Sequence, residues 1–193
     1  MDYNLDMIKD KRSKKIVVVS HCIINQNSKL EGLALRQGVI NEVLDIIIKY
    51  GCGILQMPCP EMLYEGIGRF DKSFEQYENS CFFDICNKIV KEIIDQIENY
   101  IKWNYKIVAI LAIDGSPSCG YNLTQSAPEW KGLVAGINWQ KVRYVKKPGV
   151  LFKILIEELK KRNIDIPIIG IPEIPELGSI KDSIVKLEKL INF

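Results

Sequence analysis

Residues 15–20, Lys-Ile-Val-Val-Val-Ser, and 106–113, Lys-Ile-Val-Ala-Ile-Leu-Ala-Ile, are aliphatic runs in which apolar and polar positions do not alternate. A strand of this kind has to bury both faces, and in a water-soluble chain that means the interior of a parallel sheet with helices above and below. One-sided antiparallel sheets and pure helical bundles are thereby excluded. Two shorter runs, 52–58 and 164–172, read as further strands, the latter despite its internal Pro167. Between and after these runs, apolar residues recur at helical intervals over about 32–50, 80–101, 149–162 and 179–193. Gly51 follows the first of these segments as a natural C-terminal cap. Strand and helix therefore alternate four times, which predicts an α/β fold: one domain over 1–193, an open parallel sheet of about four strands, and helices on both faces in a Rossmann-like three-layer arrangement.

The remaining composition narrows the partners. The 193 residues carry 26 Lys+Arg against 24 Asp+Glu, a net charge of +2, so the basic surplus typical of nucleic-acid binders is absent. The one basic stretch, 141–147 with Tyr144 at its centre, reads as a solvated loop or strand edge. No run approaches 18 apolar residues and the first 15 contain no apolar signal core, which predicts a soluble cytoplasmic protein with no membrane partner. Six cysteines in a chain of this kind read as thiols and not as a disulfide framework. The oligomeric state leaves no mark in the sequence.

In an open parallel sheet, the loops after the carboxyl ends of strands line the ligand crevice. Those loops begin with His21-Cys22, with Cys59-Pro60-Glu61, with Asp114-Gly-Ser-Pro-Ser-Cys-Gly120, and with Pro172-Glu173-Ile174-Pro175. Three of the four bring a cysteine, so Cys22, Cys59 and Cys119 converge if the fold is right. Each alone has a plain alternative as an inert core thiol. Cys52, Cys81 and Cys86 fall at a strand start and within a helix, where packing or surface roles suffice. Three thiolates without a fourth soft ligand suit a metal centre that keeps a coordination position open, either zinc or an iron-sulfur cubane with one iron free of protein ligands. His21 is the one histidine; it is a candidate ligand, base or outer hydrogen-bond donor, against the plainer reading of a satisfied polar residue at a strand end. A cysteine hydrolase with His21 as base fits poorly, because neighbours in a strand point to opposite faces.

Cys22 after the first strand, the Cys-Pro-Glu at 59–61 and the Ser-Pro-Ser-Cys-Gly at 116–120, in that order, resemble the DUF523 family of TudS-like thiouracil desulfidases. The resemblance spans roughly 15–125, with 126–193 similar to an extension found in longer relatives and expected to complete the sheet. It implies a 4Fe-4S cluster held by Cys22, Cys59 and Cys119, and non-redox removal of sulfur from a thiocarbonyl small molecule of thiolated-nucleobase type. The segments after Cys22 and after Glu61 depart from the shorter members, so the resemblance implies the reaction and leaves the substrate open. A cluster- or metal-binding redox sensor without turnover is the alternative.

Within that reading, Glu61 is the candidate general acid/base, with a helix-start carboxylate as its plain alternative. Ser116 is the candidate catalytic hydroxyl at the substrate, and Ser118 a second substrate contact; ordinary turn chemistry accounts for either serine. Asn25, Asn122 and Gln125 offer amide edges, Arg69 an anion-binding group, and Glu173 a rigid wall between two prolines. Trp130 and Trp139 are expected to cover the crevice.

Overall fold

A computed structural model describes residues 10–130 and 142–192. Its main sheet contains β1 (Lys15–Ser20), β2 (Gly53–Met57), β3 (Lys106–Ile113) and β6 (Ile168–Ile171), all parallel, in the order β2-β1-β3-β6. The inner strands are sealed on both faces, as their composition requires: Val17, Val18 and Val19 are fully buried, as are Ile110, Leu111 and Ala112. One face packs on α5 (Ser80–Lys102) and α6 (Val150–Lys161) through Ile16, Val18, Phe82, Ile93, Ile110 and Leu155. The other packs on α2 (Asn41–Lys49) and α7 (Ile180–Asn192) through Val17, Val19, Val43, Ile47, Leu111 and Leu187. The expected three-layer α/β architecture is the observed one. A register shift between β1 and β3 turns Val108 and Ala109 to the same face, so strict alternation breaks there.

The order places β2 and β3 on opposite sides of β1. The chain reverses its winding direction across β1, and such a switch point opens a crevice at the carboxyl ends of the strands. Short elements fill the connections: α1 (His21–Ile24), α3 (Pro60–Glu65), α4 (Phe74–Tyr77), and a hairpin of β4 (Thr124–Ser126) and β5 (Arg143–Val145).

Several boundaries differ from the sequence-based expectation. The helix expected from about 32 begins at Asn41, because the backbone before it is tied elsewhere: Gln26 N donates to Gly38 O at 2.6 Å and Ile40 N to Ile23 O at 2.9 Å. The strand expected over 164–172 is paired only over Ile168–Ile171. Pro167 lacks an N–H but its carbonyl still accepts from Ile110 N at 2.9 Å, so the ladder forms just past it. His21 and Cys22 open the turn of α1 and do not alternate along a strand.

Candidate functional site

A cavity of about 240 Å³ lies at the switch point. It receives Cys22 from the first turn after β1, Cys59 and Glu61 from the turn after β2, the 113–119 loop after β3, and Glu173 after β6.

Local chemistry fixes each contributor. Cys59 is the N-cap of α3; its thiol sulfur accepts from Met62 N at 3.5 Å, and Pro60 takes the first helical position, where a missing N–H costs nothing. This puts Glu61 in the first helical turn, pointing to the same cavity. Ser116 Oγ accepts from Cys119 N at 3.0 Å and from Ser118 N at 3.3 Å, closing the Ser-Pro-Ser-Cys turn on itself. The carboxylate of Asp114, 4% exposed, accepts from Tyr121 N at 3.0 Å and from Asn122 N and Nδ2 at 2.8 Å each. From outside, the start of α6 clamps the turn: Gly149 N donates to Gly120 O at 2.9 Å, Val150 N to Pro117 O at 3.1 Å and Leu151 N to Ser118 O at 3.0 Å. A Cβ on Gly149 would stand 2.5 Å from the carbonyl carbon of Ser118, so that contact requires glycine.

Glu61 is the hub of the polar side. Its Oε1 accepts from Ser118 Oγ at 2.5 Å and lies 3.5 Å from Ser116 Oγ, while its Oε2 pairs with Arg69 Nε at 3.3 Å. Arg69 is buried and also donates to Ser28 O at 2.9 Å, which binds the loop after α1 to the loop after β2. Glu173 pairs with Lys29 and accepts from Gln26 Nε2 at 3.1 Å, and the same Gln26 amide donates to Cys22 O at 2.7 Å. The residue expected to be a wall is therefore linked through one side chain to the backbone of a cysteine.

The three cysteine thiols line this one cavity, close enough for the charge of each thiolate to bear on the others. Burial pushes the Cys22 thiol up to about 12 and raises Cys59 and Cys119 as well, the latter also by the neighbouring Cys22 and Cys59. Such thiols are protonated at neutral pH and make weak nucleophiles; what converts them to thiolates is a bound cationic centre. Among the described residues no three His, Cys, Asp or Glu side chains close around a single ion. Three soft donors spread around a cavity fit a polynuclear iron-sulfur group, whose cysteine ligands stand apart across the cluster.

Other expected residues lie elsewhere. Asn25 accepts from Asn27 N at 3.2 Å as the cap of a short 3-10 turn, and the Asn122 side chain is held by Asp114; neither is part of the cavity wall. His21 bonds Gln56 through Nδ1 and faces Asn25 through Nε2 at 3.4 Å, and it is not among the residues lining the cavity. Trp130 is buried outside the wall as well, while Trp139 falls outside the described residues. Gln125 does reach the cavity. Sequence reasoning missed Lys29, Asp71 and Tyr144 as lining residues; Asp71 and Lys29 lie in loops with no motif, and Tyr144 is brought in by the hairpin.

No family model matches the chain. The fold is similar to the solved structure of a [4Fe-4S]-dependent thiouracil desulfidase, TudS, with a TM-score of 0.48 and 19% identity, covering 84% of this chain and 95% of that one. In sequence the chain is 34% identical over 162 residues to the uncharacterized protein MJ0003 of Methanocaldococcus jannaschii, covering 84% of this chain and 88% of that protein. The chain thus belongs to the same family as MJ0003.

Proposed function

We propose that this protein is an iron-sulfur-dependent, non-redox desulfidase that replaces the sulfur of a thiocarbonyl small molecule by oxygen from water. The observation that carries the reading is the meeting, in one cavity, of three thiols and a carboxylate-hydroxyl relay, Glu61-Ser118-Ser116. Cys22, Cys59 and Cys119 would hold a 4Fe-4S cluster, which when bound supplies an iron without a protein ligand, a Lewis acid for sulfur.

The chain's own residues supply positioning and proton movement. The net change converts a thiocarbonyl and water into a carbonyl and hydrogen sulfide. It moves no electrons, so the protons that leave water must reach sulfur. Glu61 Oε1 accepts the proton of water, and the Ser118 hydroxyl already donating to it at 2.5 Å stabilises the charged form. Ser116 Oγ, 3.2 Å from Ser118 Oγ and bonded by Cys119 N, extends the relay toward the cysteines and is the hydroxyl assigned to the oxygen that develops on the substrate carbon. Arg69 keeps Glu61 in place. Leu30, Leu33 and Ile174 line the cavity with apolar surface.

Anaerobically purified protein is expected to contain about four irons and about four acid-labile sulfides per chain, the stoichiometry of a cubane. Cys22→Ser, Cys59→Ser and Cys119→Ser each lower both counts; Cys52→Ser and Cys81→Ser leave them unchanged. Loaded protein releases sulfide from at least one member of a panel of thiolated pyrimidines and purines. Unchanged iron in all three of the first variants refutes the cluster assignment, and a loaded protein inert to the whole panel favours a sensor without turnover.

A further inference from the structure

The ionic groups of the cavity leave no cation for a ligand. Lys29, Arg69 and Lys72 line it, and each is spent on a carboxylate: Lys29 on Glu173, Arg69 on Glu61 and Lys72 on Glu65. Among the described residues no other Lys, Arg or His lines the wall. Two further carboxylates line the same space without calling for a cation, because the chain's own N–H donors hold them. Asp114 accepts from Tyr121 N, Asn122 N and Asn122 Nδ2, and Asp71 from Gln125 Nε2 and from the backbone N–H of Lys72. An anionic group entering here meets carboxylates and no unpaired cation, so nothing replaces the hydration it gives up.

The rest of the wall is apolar, and part of it is open to solvent. The cysteines of the cavity are buried or half-buried, yet Leu33, Leu35, Phe70 and Tyr144 on the same wall are 47%, 54%, 76% and 43% exposed. Exposed apolar side chains scattered singly need no explanation; gathered on one cavity they mark a binding surface. These four come from separate segments, the loop before α2, the loop after α3 and β5, so only the fold brings them together. Tyr144 and Leu177 also close over Gly115: a Cβ there would stand 2.6 Å from Leu177 Cδ1 and 3.3 Å from Tyr144 Cε1, and its φ of +92° is one that glycine adopts freely. The two apolar side chains thereby take the space of a side chain at 115, directly before Ser116.

We propose that the cavity selects an uncharged substrate whose reacting end enters toward the cysteines and whose apolar substituent rests on Leu33, Leu35, Phe70 and Tyr144, and that it discriminates against molecules bearing a phosphate or carboxylate. The occupant of the apolar wall is part of the substrate because that wall is continuous with the cavity that holds the thiols. This deepens the desulfidase reading, on which its relevance to a thiolated substrate rests.

The test uses the full-length, anaerobically prepared protein and two matched sets of probes. Uracil, 6-propyluracil and orotate share one ring and carry hydrogen, an apolar chain or a carboxylate at the same position; 2-thiouracil, 6-propyl-2-thiouracil and 2-thioorotate are their thiolated counterparts. Each methylene laid on the apolar wall contributes about two- to fourfold, the upper figure being full burial at about 0.8 kcal/mol, so calorimetric titration is expected to show 6-propyluracil bound about 8- to 60-fold more tightly than uracil. Orotate binds at least about tenfold more weakly than uracil. Phe70→Ser and Leu35→Ser each narrow the propyl preference while iron per chain stays constant. Glu65→Gln, outside the cavity wall, frees Lys72 for a ligand and raises orotate affinity by about two- to fivefold. 6-Propyluracil bound no more tightly than uracil, or orotate bound as tightly as either, overturns the proposal. A dimer in solution that Phe70→Ser dissociates, in a protein without the propyl preference, assigns the apolar wall to a second copy of the chain and overturns it as well. Sulfide release that favours 2-thioorotate refutes the proposal and sustains the desulfidase reading; the predicted order of binding in a protein that releases no sulfide from any thiolated probe sustains the proposal and refutes the desulfidase reading instead.

Discussion

Gly170→Ala would place a methyl group where Asp114 keeps its carboxylate. A Cβ built on Gly170 in β6 stands 2.1 Å from Asp114 Oδ2, 2.4 Å from its Cγ and 2.5 Å from Asn122 Nδ2. These are side-chain atoms and move, but the carboxylate cannot move without leaving Tyr121 N, Asn122 N and Asn122 Nδ2, all within 3.0 Å of it. Stripping a buried charge of its partners costs about 3–5 kcal/mol, offset by only about 0.5–1 kcal/mol from removing a glycine from a strand. For a chain of this size, the net cost of about 2–4.5 kcal/mol lowers the midpoint of thermal unfolding by about 4–18 °C. The same displacement frees the turn that carries Ser116, Ser118 and Cys119, so iron per chain falls with it. Circular dichroism melts of Gly170→Ala, Asp114→Ala and the double variant separate the causes. With the carboxylate gone, Asn122 swings clear, and Gly170→Ala is expected to cost less than about 1 kcal/mol in the Asp114→Ala background. An equal loss in both backgrounds would refute the reasoning, since the clash would then lie with something other than Asp114.

Glu61→Gln is expected to lower sulfide release by about 10²- to 10⁴-fold with unchanged iron content, because in the proposed reaction Glu61 moves protons and holds no metal; loss of iron in that variant would show a structural role instead. Glu173→Ala leaves Lys29 without its anion in a largely enclosed place and removes an acceptor from Gln26, so the urea midpoint should fall by the equivalent of about 2–4 kcal/mol. The carboxyl of Asp71 has its folded pKa above the unfolded value, so its charge costs stability at neutral pH and that cost shrinks as the pH falls through the folded pKa. Asp71→Asn should therefore stabilise the fold at pH 7, on the order of 1 kcal/mol, by an amount that diminishes toward pH 4; urea denaturation at both values checks the sign.

The order of strands and helices was readable because each rests on a local pattern. Uninterrupted aliphatic runs such as 15–20 and 106–113 admit few environments, and the 80–102 helix shows its period over many turns. The three cysteines and Glu61 were legible for a related reason: each stands at a strand's carboxyl end, a place that the fold class assigns to ligand binding whatever the intervening distances. What the sequence could not specify are the partners. Arg69 was read as an anion site, yet its guanidinium is spent on Glu61 and on the Ser28 carbonyl 41 residues away. Asn25 and Asn122 were read as amide edges for a ligand, and each is instead held by its local turn. Glu173 meets Lys29 across 144 residues, and Asp71 meets Gln125 across 54. Hydrogen bonds and ion pairs act over a few ångströms, and no periodicity records which two distant loops a sheet will bring within that range. The sequence alone determined the alternation of elements and the thiols at their ends; tertiary structure decided which polar groups are consumed in holding the site, because only the packed sheet brings those loops within hydrogen-bond range.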